Sequence, residues 1–442
     1  MRKLLSGIIS GVLCFVSCGA FALDLSLNDA VEKVLSESHD LKKANANVDK
    51  AKAGLKAANA NRWFKVDATA TYMNLINVAD PRNPQTITLP PELGGFIPAA
   101  LSDKIPSSFE VPDNVFMAGV SVSQPIYTFG KIGNAVDSMR SAIKMSESSR
   151  EITQRAIKYS AADLYWTAKM TDEIVKLAKQ DLQNAKNSKS KLTSAGRANR
   201  SNLVKIESDI ATREINVSDA EFNRETAHRM LKILAGIDID TELNLTDEFP
   251  KTFEPMEVGK LKSTPEWDVL NEQINMYEAK ASSQRANNYP TLAATASYNY
   301  FSLANEAEKL FDKKGQQAAY WGLALQVPVF NGGLNRANAM VDVMNAEAAR
   351  QDLEKSKKLT SEKYDNAIKL YNHLRENLST MEEARNLAAK AYQFSQERFA
   401  TGQTSAVELD EVSHGLYQLD LGLLNAKYKI LMAQESVKQL GE

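Results

Sequence analysis

The chain is written twice, and this repetition constrains its fold more than any other feature. Residues 59–72 run Asn-Ala-Asn-Arg-Trp-Phe-Lys-Val-Asp-Ala-Thr-Ala-Thr-Tyr, and residues 285–298 run Arg-Ala-Asn-Asn-Tyr-Pro-Thr-Leu-Ala-Ala-Thr-Ala-Ser-Tyr. A second pair sets Gln124-Pro125-Ile126-Tyr127-Thr128-Phe129-Gly130 beside Val327-Pro328-Val329-Phe330-Asn331-Gly332-Gly333. A third sets Leu192-Thr193-Ser194-Ala195-Gly196 beside Phe399-Ala400-Thr401-Gly402. The order is the same in both halves, so each half reads helix, strand, loop, strand, long helix, glycine turn, helix.

Alternation locates four strands, at about 65–75, 115–125, 291–301 and 319–328. Val66, Ala68, Ala70 and Tyr72 face one way, with Asp67, Thr69 and Thr71 on the other side. Trp321, Leu323, Leu325 and Val327 alternate with Tyr320, Gly322, Ala324 and Gln326 in the same manner. Strands of roughly ten residues with aromatic ends suit a tilted membrane-spanning sheet, and a half-buried soluble sheet gives the same alternation. Four strands cannot close on themselves in lipid, because their edges would leave backbone groups unsatisfied. In a membrane several chains must pool them, and three chains supply twelve, within the range of known barrels that starts at about eight.

Helices carry the rest. No proline interrupts the stretches from about Lys131 to Ser190 and from about Asn335 to Arg398, each about 90 Å long at 1.5 Å per residue. Leu370, Leu374, Leu378, Met381, Ala384, Ala388 and Ala391 advance by threes and fours, as do Val412, Leu416, Leu419, Leu423, Ala426 and Ile430. These are coiled-coil-like stripes. Pro125 and Pro328 punctuate the strand ends, and Gly130, Gly332 and Gly333 free the chain to turn into the long helices. Seven of the 13 prolines fall between Asp80 and Pro112, marking an exposed loop between the first two strands. The expected layout is a first repeat over 23–236, an irregular linker over 237–264 and a second repeat over 265–442.

Residues 1–22 read as an export signal. Arg2 and Lys3 precede an apolar stretch from Leu4 to Val16, and Ala20-Phe21-Ala22 supplies the small-x-small cleavage pattern. The alternative start is Cys18 as an acylated residue, though Phe15-Val16-Ser17 fits that pattern poorly. Cys14 and Cys18 are the two cysteines of the chain, so a chain cleaved after Ala22 has no disulfide and no thiolate metal site. With 53 basic and 55 acidic residues there is no basic excess for nucleic acid. His39, His228, His373 and His414 are scattered on helices, and no metalloprotease, phosphate-loop or nucleophile-elbow motif is present. Neither an enzyme nor a cofactor is expected.

At these residues the chain resembles the TolC-type outer membrane efflux protein family over nearly all of its length. Leu25-Ser26-Leu27-Asn28-Asp29-Ala30-Val31 is similar to the family's opening, the two proline turns to its strand-to-helix junctions, and residues 399–409 to its second hairpin tip. The resemblance implies a mainly helical protomer with a small sheet part: duplicated long antiparallel helical hairpins forming an α-barrel, and four strands pooled by a homotrimer into a twelve-stranded β-barrel. It implies a place in the outer membrane of a Gram-negative bacterium with a large periplasmic part. It implies an exit duct of a tripartite efflux or type I secretion system, whose partners are outer-membrane lipid, a periplasmic adaptor and an inner-membrane pump.

The resemblance also assigns residues. Glu408 and Glu411, six and nine residues after Gly402, correspond to acids that ring the narrow mouth; carboxylate rings favour cations. An ordinary solvated helix face is the competing reading. Gly196, Arg197, Gly402 and Gln403 would meet the adaptor at the hairpin tips. The family pattern closes its mouth with an aspartate, a tyrosine and an arginine, where this chain has Asn202, Phe399 and Thr404. Those residues cannot form the same polar links. Phe399 is then either an apolar constriction or a core residue. Phe64 stands where the family usually has the proline seen at Pro290. A periplasmic coiled-coil scaffold is the alternative to a duct; it accounts for the helices and leaves the four strands unexplained.

Overall fold

The computed structural model describes residues 23–74, 86–88, 108–110, 114–194, 200–304, 306–312 and 315–441. The expected signal at 1–22, most of the 80–112 loop, and the tip residues Gly196 and Arg197 lie outside them. Chain order is β1 (Leu23–Leu25), α1 (Leu27–Glu37), α2 (His39–Ala60), β2 (Lys65–Asn74), β3 (Thr86–Thr88), β4 (Ser108–Glu110), β5 (Asn114–Tyr127), α3 (Lys131–Ser194) and α4 (Arg200–Leu234). There follow β6 (Leu243–Leu245), α5 (Pro265–Ala286), β7 (Thr291–Ala304), a short 3-10 turn (Ala307–Leu310), β8 (Gln316–Gln326), α6 (Leu334–Ala400) and α7 (Ala406–Gly441).

Helices recur with matching lengths in the two halves. The paired helices α2 and α5 are each 22 residues long. The pair α3 and α6 has 64 and 67 residues, and α4 and α7 have 35 and 36. No helix among the described residues is long and apolar enough to cross a membrane.

The chain divides into two compact units, each drawing segments from both repeats. One holds residues 50–144 and 272–350. Its sheet has the order β2-β5-β7-β8, with every neighbouring pair antiparallel. Register places like with like. Ala70 faces Ala118, Val120 faces Tyr298, and Ala296 faces Trp321, so an apolar face runs across all four strands. On the opposite face Thr69 meets Gly119, Ser121 meets Ser297 and Thr295 meets Gly322. Strands β5 and β7 are 14 residues long, beyond the expected ten. Strand β5 continues through Pro125 to Tyr127, and its ladder with β7 shifts between those two residues. A proline has no N–H to give a neighbouring strand, so the irregularity falls there.

Among the described residues the outer strands have one neighbour each. All ten residues of β2 are exposed, and so is every residue of β8 except Gly322. Their outward edges carry unpaired backbone donors and acceptors, an arrangement that templates further pairing.

The other unit holds residues 23–49, 145–271 and 351–441. One core of it packs Leu25, Ala162, Tyr165, Trp166, Leu231, Leu243, Leu245 and Leu431. Three-residue β1 and β6 pair in parallel, Leu23 with Leu243 and Leu25 with Leu245, which stitches the chain's start to the inter-repeat segment. Tyr165 is fully buried, and its Oη lies 2.8 Å from Asp247 Oδ2, which also accepts the Leu27 amide at 2.6 Å. Burial pushes that phenol well above its ordinary pKa. Ser26 caps α1 in a full capping box with Asp29.

Three ion pairs bridge α3 and α4 in the first hairpin. Lys179 pairs with Glu221 at 2.7 Å, Lys186 with Glu214 at 2.9 Å and Lys189 with Glu207 at 2.8 Å. The first two pairs lie one heptad apart on both helices. Such exposed pairs stabilise by about 0–1 kcal/mol each.

Candidate functional site

The second hairpin tip is built by capping. Helix α6 ends in a Schellman motif: the Gly402 N–H donates to Phe399 O at 3.0 Å and the Gln403 N–H to Arg398 O at 2.8 Å. This geometry needs a left-handed residue, and Gly402 has φ +80°. Three residues later Ser405 caps α7, its Oγ accepting the Glu408 amide at 3.1 Å.

Phe399 is half-buried against a cluster of Leu192, Ile206 and Ala406, which joins the first hairpin to the second. Asn202 is half-buried in the first turn of α4. The Thr404 hydroxyl is buried, with no hydrogen-bond partner among the described residues. Gln403 is exposed.

Glu408 and Glu411 are both exposed on α7 and share a face three residues apart. Their surroundings differ. Glu411 Oε1 pairs with Lys205 Nζ on α4, and that hydrogen bond holds the Lys205 ammonium above its ordinary pKa. Glu408 lies in the first turn of α7, where the helix N-terminus favours negative charge.

Between the two acids, Asp410 points the other way and is buried. Its oxygens accept from Arg213 Nη1 at 2.8 Å and Nη2 at 2.9 Å. Arg213 Nε reaches Asp181 Oδ2 at 2.9 Å, and His414 Nδ1 lies 3.1 Å from the same oxygen. Asn184 Nδ2 donates to Ser413 Oγ at 3.2 Å. Burial works against the Arg213 charge, but the Asp410 hydrogen bond and the Asp410 and Asp181 charges win, so its pKa is raised. This buried cluster ties α3, α4 and α7 together just below the tip. Sequence reasoning missed it, since each of its charges sits on a different helix and only the Asp410 and His414 spacing is visible along the chain.

At the other end of the long helices, the strand-to-helix junctions turn through left-handed backbone. Gly130 has φ +84°, Gly332 +63° and Gly333 +82°. Phe129 takes the same conformation at φ +47°, unusual for a residue with a side chain. Pro328 lies just past β8, and Val329 and Phe330 after it are almost fully exposed. No group of three or more His, Cys, Asp or Glu suited to a metal ion is found among the described residues.

The family model described as outer membrane efflux protein matches residues 30–236 and 262–441. The chain belongs to the outer membrane efflux protein family. "Toxin and drug export protein A" of Aggregatibacter actinomycetemcomitans is 20% identical over 427 residues, 94% of this chain and 85% of that protein. The "Probable outer membrane lipoprotein SilC" of Salmonella typhimurium is 19% identical over 92% of this chain and 84% of its own length. The crystal structure of the outer membrane protein VceC from Vibrio cholerae superposes with a TM-score of 0.73 at 17% identity, covering 94% of this chain and 96% of that one. The mainly helical fold with its small sheet, the outer-membrane location and the role in efflux expected from the sequence are those of this family.

Proposed function

We propose that three copies of this chain assemble into a continuous duct through the outer membrane and into the periplasm, performing transport and no covalent chemistry. The observation that carries this reading is the pair of open sheet edges. Among the described residues β2 and β8 each lack a neighbour on one side, and the apolar face formed by the four strands reaches both edges. Lipid tolerates no such edge. Joining β8 of one copy to β2 of the next removes every edge after three copies, giving twelve strands with the apolar face toward lipid. The long hairpins supply the periplasmic part, with its mouth at Gly402.

Rings of Glu408 and Glu411 at that mouth favour cations over anions. Residues around both tips, Gly196, Arg197, Gly402 and Gln403, dock a periplasmic adaptor, which delivers cargo from an inner-membrane pump. Asn202, Phe399 and Thr404 occupy the closing positions, and Phe399 narrows the mouth from within its apolar cluster.

Two measurements test the reading. Detergent-extracted protein should have the mass of a trimer by light scattering and should open ion-conducting pores in planar bilayers. A stable monomer, or protein that stays in solution without detergent, would refute it. Glu408→Ala with Glu411→Ala should lower the cation-to-anion permeability ratio; an unchanged ratio removes these acids from the lining.

A further inference from the structure

The two repeats meet inside the chain at an aromatic junction. Strand β5 ends in Tyr127, and Phe129 follows two residues later; Tyr289 stands two residues before β7. The Tyr127 and Phe129 rings meet edge to face at 4.6 Å, and Phe129 stacks on Tyr289 at 5.8 Å with 16° between planes. Three rings thus seal the point where the strand-to-helix turn of the first repeat passes the helix-to-strand turn of the second.

The repeat generates a second junction of the same kind whose halves are far apart along the sheet, at its two open edges. Aligning Pro125 with Pro328 places Tyr127 on Phe330, Phe129 on Gly332 and Gly130 on Gly333. The backbone agrees, because all four of the latter residues have positive φ. Aligning the starts of β2 and β7 places Trp63 on Tyr289 and Phe64 on Pro290. The second junction therefore has Phe330 on one side and Trp63 with Phe64 on the other. Where the turn lost a ring, at Gly332, the facing segment gained one, at Phe64. Both junctions hold three rings, divided two and one in opposite senses.

In a single copy these rings have no cover. Phe330 is 88% exposed and Trp63 69%, and no atom approaches the positions where side chains would stand at Gly332 and Gly333. We infer that Phe330 of one copy packs against Trp63 and Phe64 of the next, closing an aromatic clasp at the foot of each barrel seam. The inference rests on the trimeric reading above and adds to it the register of the seam. Ser123 faces Thr295 within the chain, so the repeat sets Gln326 of one copy opposite Thr69 of its neighbour.

Cysteine cross-linking in outer membranes tests both points. Cys14 and Cys18 are the only native cysteines, and both fall in the expected signal. Thr69→Cys with Gln326→Cys reports the seam, since directly opposed strand residues lie within disulfide reach. Trp63→Cys with Phe330→Cys, joined by oxidation or a short bis-maleimide, reports the clasp. Covalent dimers and trimers on non-reducing gels are expected from both pairs, with single-cysteine controls giving neither. Linked seam cysteines with unlinked clasp cysteines would overturn the clasp and leave the trimer standing; that is also the result for rings immersed in lipid. A clasp pair that links only within one chain would overturn it as well. If neither pair links and the protein runs as a monomer, the assembly itself falls. Phe330→Ala should lower the temperature at which the oligomer dissociates, and adding Trp63→Ala should lower it little further.

Discussion

The Arg213 guanidinium grips both oxygens of Asp410, at 2.8 and 2.9 Å, in a site sealed from solvent between α4 and α7. Its Nε holds Asp181 on α3 at the same time. One cation thus faces two buried carboxylates, and the His414 ring lies 3.1 Å from Asp181. Breaking such a group leaves unpaired buried charge, which costs about 3–5 kcal/mol. Arg213→Met should therefore lower the thermal unfolding midpoint far more than loss of any surface pair. Replacing all three charges with apolar residues of similar size should recover most of that loss. Differential scanning calorimetry of the single and triple variants checks both; a single variant as stable as the wild type would show that the cluster holds nothing.

Lys205 and Glu411 give a second prediction, one of ion selectivity. The ammonium sits on the carboxylate and offsets its charge where the mouth is proposed to narrow. Lys205→Met removes the offset and leaves Glu411 free. The cation-to-anion permeability ratio in planar bilayers should rise relative to wild type, the reverse of the change expected for Glu411→Ala. A fall, or no change, would place Glu411 away from the conducting path.

The sequence made the repeat legible because strands and helices leave different periods, and both are long enough here to count. Alternation over Lys65–Asn74 placed β2 to within a residue. The proline-free run from Lys131 gave α3 its start, and the structure extends it to Ser194. What escaped is short or remote. Three residues at Leu23–Leu25 have no measurable period, and their partner lies 220 residues away at Leu243. The break at Ser38 between α1 and α2 carries no proline or glycine. The Arg213 cluster escaped because burial depends on which helix faces are covered, and periodicity cannot say which charged residue of a face turns inward. Glu408, Asp410 and Glu411 look alike in the sequence; packing alone sends Asp410 to Arg213.

Asp172 predicts acid sensitivity in the same helical body. Burial would raise its pKa, but hydrogen bonds from His228 Nε2 at 3.0 Å and Arg224 Nε at 2.5 Å outweigh it, and the carboxyl titrates below its ordinary value of 3.8. A depressed folded-state pKa means that the stabilisation is complete above the unfolded value and is lost as pH falls through the folded one. Asp172→Asn should thus melt below wild type at about pH 5, above the range where the carboxyl titrates. The margin should shrink once pH drops below 3.8. Melting curves across pH 3–7 test this, and a margin that grows in acid would contradict it.

Gly402 makes the sharpest claim about the tip. Its φ of +80° satisfies the last carbonyls of α6 and turns the chain toward Ser405 and α7. A side chain in this conformation costs about 1–2 kcal/mol, and asparagine tolerates it better than alanine. The strain has somewhere to go, because the tip is held chiefly by the small cluster of Leu192, Ile206 and Ala406. Local opening is therefore cheaper than global unfolding. Gly402→Ala should speed hydrogen exchange at the amides of Gly402, Gln403 and Glu408 by roughly tenfold, since about 1.4 kcal/mol is one decade in an opening constant. The thermal midpoint of the whole chain should barely move. Gly402→Asn should fall between alanine and wild type. Equal exchange in all three proteins would mean that the left-handed turn does not control the tip; a lowered midpoint with unchanged tip exchange would mean that the turn is part of the global folding unit and not a local hinge.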